Sequence, residues 1–164
     1  MKIILIGLTA ALISVASFAM NNGHNMDHGD QRIQFKKFQL NGITLSNFHA
    51  RESIGRTKNS GIYGEIQAVK TDRLINISTS FASVAELHEH INDDGVMRMR
   101  EVEGGLTLNP DQPMIMRPGG HHIMLMGLHE RLIAGKVIDL KLEFESGQIF
   151  DISVPVVSIK KMHH

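Results

Sequence analysis

Residues 137–144 read VIDLKLEF, and polar and apolar side chains alternate along most of this run. A period of two residues is typical of a β-strand with one face against the core and the other in water. Ser146-Gly147 then turns the chain into a second apolar run, residues 149–159. The two runs predict an antiparallel hairpin and a domain built mainly of β-sheet.

Further short apolar runs are separated by residues that favour turns. They span residues 33–40, 43–48, 62–69, 74–77, 113–116 and 122–128. Asn41-Gly42 is a two-residue hairpin turn, and the polar residues 51–61 are predicted to form a loop. Short strands at such spacing, with few helical segments, predict an all-β sandwich or barrel.

One segment, residues 83–91, carries a helical pattern instead. Ser83 and Glu86 have the spacing of a capping box, and Val84, Leu87 and Ile91 would share one helical face. Local propensity therefore favours a helix here. If the same segment is a strand, His88 and the histidine two residues later share one face and Leu87 lies on the other.

The first nineteen residues have the features of a secretory signal peptide. Lys2 gives a positive start, and the apolar run of residues 3–13 is too short to span a bilayer. Ser17-Phe18-Ala19 supplies the small residues of a signal-peptidase site, so we expect cleavage after Ala19 and export. No second long apolar segment follows, so we expect no stable membrane insertion after cleavage. The sequence has no cysteine to carry a lipid or form a disulfide.

Composition also excludes some classes of partner. The sequence has 17 basic and 17 acidic residues, so it lacks the positive charge that nucleic-acid binding requires. Aromatic residues make up 5% of the chain and tryptophan is absent, which argues against a stacking platform for bases or sugars.

Histidine and methionine are concentrated between residues 84 and 126. This stretch holds four of the ten histidines and six of the ten methionines. Thioethers and imidazoles without thiols are suited to a soft metal ion, Cu(I) above all, and poorly suited to Mg²⁺ or Ca²⁺. The sequence therefore predicts a copper site in this stretch.

The geometry of a β-strand indicates which of these histidines and methionines can bind the same ion. As a strand, residues 96–100 place Met97 and Met99 on one face, and residues 121–126 place His122 with Met124. Residues two apart on a strand lie roughly 6.5–7 Å apart, so a histidine and a methionine at that spacing can bend toward one ion. His88 and Met99 are the obvious partners for the His122-x-Met124 pair.

Other histidines and methionines have ordinary structural explanations. Met114, Met116 and Met126 are predicted to fill the core, which is the usual role of methionine on a strand. His49 and His129 have no nearby histidine or methionine in sequence and are predicted to be hydrogen-bonded structural residues.

Both termini carry short histidine and methionine tracts. The predicted flexible tail of residues 20–31 contains His24, Met26 and His28, and the C-terminal residues 160–164 end in Met162, His163 and His164. Such tracts capture a metal loosely or are solvated tails of no significance, and both interpretations stay open. If they bind, their cargo would be Cu(II) or a second copper ion.

Three blocks, ELHE from residue 86, GVMRMR from residue 95 and PGGHHIMLMGL from residue 118, closely resemble the periplasmic copper chaperone family PCuAC. The resemblance runs from about residue 43 to residue 159, within a predicted domain of residues 32–159. It implies a cupredoxin-like Greek-key β-sandwich in which the segment around residue 88 is extended, and on this ground we expect a strand there.

The family signature is a histidine, ten residues, a methionine, about twenty-one residues, then His-x-Met. It implies that His88, Met99, His122 and Met124 are the copper ligands. Met99 and His122 are separated by twenty-two residues, one more than the signature, and Met97 is the alternative to Met99. The segment around Tyr63 matches the family only loosely.

The resemblance also implies a function: binding Cu(I) and passing it to an acceptor, such as the copper centre of cytochrome c oxidase or another copper chaperone. The main alternative is a periplasmic copper buffering or resistance protein without a dedicated recipient. A blue-copper redox protein is disfavoured because its site needs a cysteine thiolate. A plain structural or adhesion domain predicts no copper binding. Because the implied function is copper binding and transfer, we expect no catalysed reaction.

Overall fold

The computed structural model describes residues 35–158, and in this part of the chain the secondary structure is entirely β. The strands are β1 Phe38–Leu40, β2 Ile43–Arg51, β3 Ser60–Ala68, β4 Asp72–Ser78, β5 Ala82–Asp93, β6 Val96–Glu101, β7 Leu106–Leu108, β8 Met114–Met116, β9 His122–Leu128, β10 Val137–Phe144 and β11 Ile149–Val157. The predicted all-β class is confirmed.

The strands form a continuous path in the order β6-β5-β9-β3-β2-β11-β10-β4-β7, with β1 added to β2 and β8 added to β3. The pairings along this path are antiparallel except β11 with β2, which is parallel and short, joining Val156 to Ala50 and Val157 to Arg51. That short junction connects two groups of strands. Their buried side chains meet in one hydrophobic core, as in a β-sandwich.

Alternation along the strands explains this core. Ile138, Leu140 and Leu142 of β10 are buried, whereas Asp139 between them is exposed. In β9, Ile123 and Leu125 are fully buried on the core side. The residues between them must therefore lie on the other face of the sheet, which is where the predicted metal ligands belong.

The helical prediction for residues 83–91 is wrong, and the strand implied by the family resemblance is correct. β5 pairs with β9 from Ala82 to His88 and with β6 from His88 to Asp93. Two ladders of backbone hydrogen bonds outweigh a local helix preference, which amounts to only tenths of a kcal/mol per residue. Leu87 is buried in the core, and His88 lies on the opposite face.

β7 was not predicted from the sequence. It is a strand of three residues that pairs with β4 at the edge of the sheet. Two predicted turns are confirmed in position. Asn41 and Gly42 have φ angles of 43° and 88° between β1 and β2, and Gly147 has a φ of 82° between β10 and β11. No helix long and apolar enough to cross a membrane occurs within residues 35–158.

Candidate metal centre

Strand pairing brings two distant histidines together. His88 of β5 lies directly opposite His122 of β9, and their ring centroids are 6.0 Å apart. The ring of His90, two residues along β5, is 5.2 Å from that of His122. Three imidazoles from two strands therefore gather on the face of the sheet that points away from the core.

Methionine reaches this face from the two strands that flank β5. Met124 of β9 lies opposite Glu86, and Met99 of β6 lies opposite His90. Residues directly opposite on neighbouring strands have their side chains on the same face. Met97, two pairs further along, lies opposite Asn92 near the tip of the β5–β6 hairpin.

These side chains line a pocket of about 250 Å³. Its walls include His90, Met99, His122 and Met124, which are joined by Tyr63 and Arg51. Three of the four predicted ligands thus share one pocket. The fourth, His88, is beside His122 but is not among the lining residues, and His90 lines the wall instead.

The two ring nitrogens of His122 have different surroundings. Nδ1 is 3.0 Å from the carbonyl oxygen of Gly120. A carbonyl can only accept, so Nδ1 carries the proton and donates, and in the neutral ring the lone pair is on Nε2. The same oxygen is 3.4 Å from Nδ1 of His90. A backbone carbonyl of this kind is the usual partner that orients a metal-binding imidazole.

Burial and neighbouring charges favour the neutral form of His122. Its side chain is buried, with 3% of the residue exposed. Burial is the largest cause that lowers the pKa of His122 below 6.5, and the Gly120 hydrogen bond opposes it. The neighbouring His90, His88 and Arg51 lower this pKa further. A neutral imidazole keeps the lone pair that a metal needs.

His88 has one occupied nitrogen and one free nitrogen. Its Nε2 is 3.2 Å from a carboxylate oxygen of Glu86. Its Nδ1 is buried and has no hydrogen-bond partner in residues 35–158. A buried polar atom without a partner costs about 1–3 kcal/mol, so such atoms call for an explanation. Coordination of a metal is one.

The donors on this face are soft or neutral. Within residues 35–158, no three histidine, cysteine, aspartate or glutamate side chains converge closely enough to hold a metal ion. The clustered histidines lie beside methionines instead. Imidazole nitrogen combined with thioether sulfur is a donor set suited to Cu(I).

The remaining candidates have varied surroundings. Met116 is buried in the core and Met114 packs against it, as predicted. His121 contacts Glu89 at 3.4 Å. The prediction that Met126 fills the core is wrong, because Met126 is half-buried on the outer face, opposite Val84 and further from the pocket. Met97 is 58% exposed and does not line the pocket.

The two histidines predicted to be structural are hydrogen-bonded. His129 contacts Ser80 and Ser83 through its two ring nitrogens, and His49 contacts the Asn47 carbonyl through Nδ1 at 2.7 Å. The signal peptide and all six tail residues, His24, Met26, His28, Met162, His163 and His164, lie outside the described residues.

Sequence reasoning missed two residues of the pocket wall, Arg51 and Tyr63. Tyr63 is on β3, and its ring is 6.3 Å from that of His122. Gly61 makes room for it, because a Cβ on Gly61 would lie 3.0 Å from the Tyr63 hydroxyl oxygen. No motif marks either residue, since both reach the site only through the pairing of β2 with β3 and of β3 with β9.

Solved structures share this fold. A copper-bound PCuAC domain from PmoF2 superposes with a TM-score of 0.63 at 19% identity, over 75% of this chain and 98% of that domain. The apo form of DR1885 from Deinococcus radiodurans gives a TM-score of 0.53 at 16% identity, over 92% of this chain and 97% of that one. The chain is thus an all-β protein with the fold of PCuAC domains.

Sequence relatives define the family. The family described as "Putative lipoprotein LpqE-like" matches residues 43–156. "Putative lipoprotein Lxx21020" of Leifsonia xyli subsp. xyli is 30% identical over 153 residues, which cover 93% of this chain and 84% of that protein. The chain belongs to the LpqE-like family.

Proposed function

We propose that this protein is a periplasmic metallochaperone that binds Cu(I) and delivers it to an acceptor protein. The observation that carries the proposal is the single pocket in which His122, Met99 and Met124 converge. The copper-bound state of a PCuAC domain with the same fold supports copper as the cargo. The proposal concerns binding and transfer, with no catalysed reaction.

The proposed ligands are His88, Met99, His122 and Met124. Nε2 of His122 is the free nitrogen once Nδ1 donates to Gly120, and Nδ1 of His88 is the nitrogen without a partner. The two thioethers are neutral, need no deprotonation, and cannot be lost to disulfides in an oxidising compartment. Oxidation to sulfoxide would be their weakness.

Exchange of the metal is favoured by the position of Met99. It is 46% exposed, on strand β6, which pairs with β5 alone among the strands of residues 35–158. An acceptor ligand can approach a metal whose sulfur donor is at the surface, and it can replace that donor before the histidines release. A deeply buried site would lack this route.

Periplasmic location and delivery to cytochrome c oxidase or to another chaperone belong to the proposal as well. Export is supported by the predicted signal peptide with cleavage after Ala19. The alternative is copper buffering without a dedicated recipient. It uses the same pocket and differs only in where the metal goes.

Anaerobic Cu(I) titration tests the site. We expect one tight Cu(I) in the pocket of the unmodified chain, and loss of that copper in a variant with His88, Met99, His122 and Met124 all replaced. A quadruple variant that keeps the same central copper would show that the ligands are wrongly assigned.

Transfer to a purified oxidase copper-binding subunit separates delivery from buffering. We expect copper to reach the acceptor faster in direct contact than when a dialysis membrane separates the two proteins, because delivery needs a complex. Equal rates would favour the buffering alternative.

The terminal tracts form a separate part of the proposal, in which His24, Met26, His28, Met162, His163 and His164 gather Cu(II) or a second copper. Truncated chains lacking residues 20–31 and 160–164 should bind less total copper. An unchanged copper stoichiometry for both Cu(I) and Cu(II) would contradict this part of the proposal and would not affect the assignment of the central site.

A further inference from the structure

Arg51 places a positive charge in the wall of a pocket proposed to bind a cation. It lines the pocket together with His90, Met99 and His122. As the last residue of β2, it is anchored through its backbone: it pairs with Val157, and its carbonyl accepts a hydrogen bond from Ser60 at 2.5 Å. The backbone position of Arg51 is therefore fixed by the sheet.

No described carboxylate neutralises this charge. Among the ion pairs within residues 35–158, none involves Arg51, and its Nε is buried without a hydrogen-bond partner. Glu86 contacts His88 and is absent from the pocket wall. Within residues 35–158, the guanidinium of Arg51 thus has no carboxylate partner at the pocket wall.

The proposed donors add no negative charge, because neutral imidazoles and thioethers carry none. The fixed positive charge of Arg51 repels a cation in the pocket, and the repulsion grows in proportion to the charge of the ion. This matters because imidazole sites otherwise bind Cu(II) and Zn(II) well. Softness alone does not exclude those ions from a pocket with several histidines.

We propose that Arg51 is a selectivity residue, whose fixed charge discriminates against divalent cations and so favours Cu(I). The inference rests on the proposed copper site and adds the means by which that site rejects Zn(II) and Cu(II). Arg51 acts through its field and does not coordinate the metal.

Variants of the full chain test the role of charge. Arg51→Gln removes the charge, Arg51→Met removes it while keeping aliphatic bulk, and Arg51→Lys keeps it. Arg98→Gln is the matched control, because Arg98 pairs with Asp93 at 3.1 Å and does not line the pocket. Thermal melting verifies that each variant is folded, and either neutral variant suffices for the test.

The affinity of each variant is measured for Zn(II) and, under anaerobic conditions, for Cu(I). The Coulomb repulsion from Arg51 is twice as large for a divalent ion as for Cu(I). In Arg51→Gln and Arg51→Met, the increase in Zn(II) affinity should therefore be about the square of the increase in Cu(I) affinity, roughly tenfold against threefold. Arg51→Lys and Arg98→Gln should keep the Zn(II)-to-Cu(I) affinity ratio of the unmodified chain.

Four results would overturn the inference. An equal change for both ions in the neutral variants would mean that Arg51 acts structurally, and weaker binding of both would mean that it anchors a counter-ion. A ratio change as large in Arg98→Gln would mean that net charge matters, not this position. If the unmodified chain binds no Cu(I) at all, the proposed function fails and the inference fails with it.

Discussion

The Gly120 carbonyl oxygen contacts two histidines, lying 3.0 Å from Nδ1 of His122 and 3.4 Å from Nδ1 of His90. One backbone group therefore fixes the tautomer and orientation of His122 and draws His90 toward it. Gly120 precedes His122 by two residues, so the PGGHH segment supplies both a proposed ligand and the group that orients it.

At the residue scale, Met99 and Met97 differ in what they face. Met99 lies opposite His90 and lines the pocket, whereas Met97 lies opposite Asn92. We expect Met99→Leu to weaken Cu(I) binding at least tenfold, equivalent to about 1.4 kcal/mol, and Met97→Leu to leave it unchanged. Competition with a chromogenic Cu(I) chelator measures both. The opposite order would transfer the ligand role to Met97.

The two β5 histidines provide a second comparison. His88 has the spacing to Met99 that the family signature implies and a buried Nδ1 without a partner, whereas His90 lines the pocket wall. We expect His88→Gln to lower Cu(I) affinity tenfold or more and His90→Gln to lower it less, because His90 mainly packs beside His122. The same chelator competition applies. A larger loss in His90→Gln would make His90 the ligand.

At the scale of elements, the β5–β6 hairpin carries Met99. Its turn consists of Asp94 and Gly95, with φ angles of 51° and 87°, and β6 is exposed along its whole length. Few packing contacts hold this hairpin in place. The positive φ at Gly95 therefore contributes to where Met99 lies relative to His122.

Gly95→Ala tests the hairpin. A Cβ there would meet nothing within 4 Å, so its effect comes from the left-handed backbone conformation, at a cost of about 1–2 kcal/mol. We expect severalfold weaker Cu(I) binding and faster amide exchange in β6, with a melting temperature lowered by a few degrees. Gly55→Ala is the control, with a φ of 57° and open space around it. Faster exchange in β6 with unchanged affinity would contradict the expected role of the hairpin.

Most strands could be predicted from sequence because one face of each packs on the core and leaves a period of two, as in β10. β5 could not be predicted this way. Val84, in the half that pairs with β9, is apolar on the exposed face, and the half after Leu87 has no buried residue and, within residues 35–158, pairs with β6 alone beyond His88. The strand therefore shows no period of two, and its apolar residues fit a helix equally well. β7 was missed because three residues are too few to show a period.

At the scale of the whole molecule, the pocket combines five strands, β2, β3, β5, β6 and β9. The motif-bearing residues of β5, β6 and β9 lie within forty positions and could be predicted from sequence. Arg51 and Tyr63 belong to strands in the first half of the chain, and they lie in the pocket wall because of how those strands pair in the sheet. Sequence without topology gives no reason to place them beside His122.

The stability of the copper-free protein should depend on pH in part through His49, because burial lowers the pKa of both His49 and His122. Burial lowers the pKa of His49 below 6.5, against the opposing hydrogen bond to Asn47, and its ring lies between those of Phe35 and Tyr63. Below pH 6.5 the unfolded chain takes up a proton that the folded chain resists, so stability falls as pH falls. Urea midpoints at pH 7.5 and 5.5 measure this loss.

His49→Gln is the variant that isolates this effect. It removes the titrating group, so the loss of stability between pH 7.5 and 5.5 should become smaller than in the unmodified chain. An equal or larger loss would assign the pH dependence to other groups.

The central claim is that copper is held as Cu(I) by nitrogen and sulfur together. X-ray absorption spectroscopy at the copper edge, on the full chain loaded anaerobically with one equivalent of Cu(I), tests it most directly. We expect a first coordination shell containing both imidazole nitrogen and thioether sulfur, with the sulfur scattering reduced in Met99→Leu. A shell of nitrogen and oxygen alone, unchanged by that substitution, would contradict it.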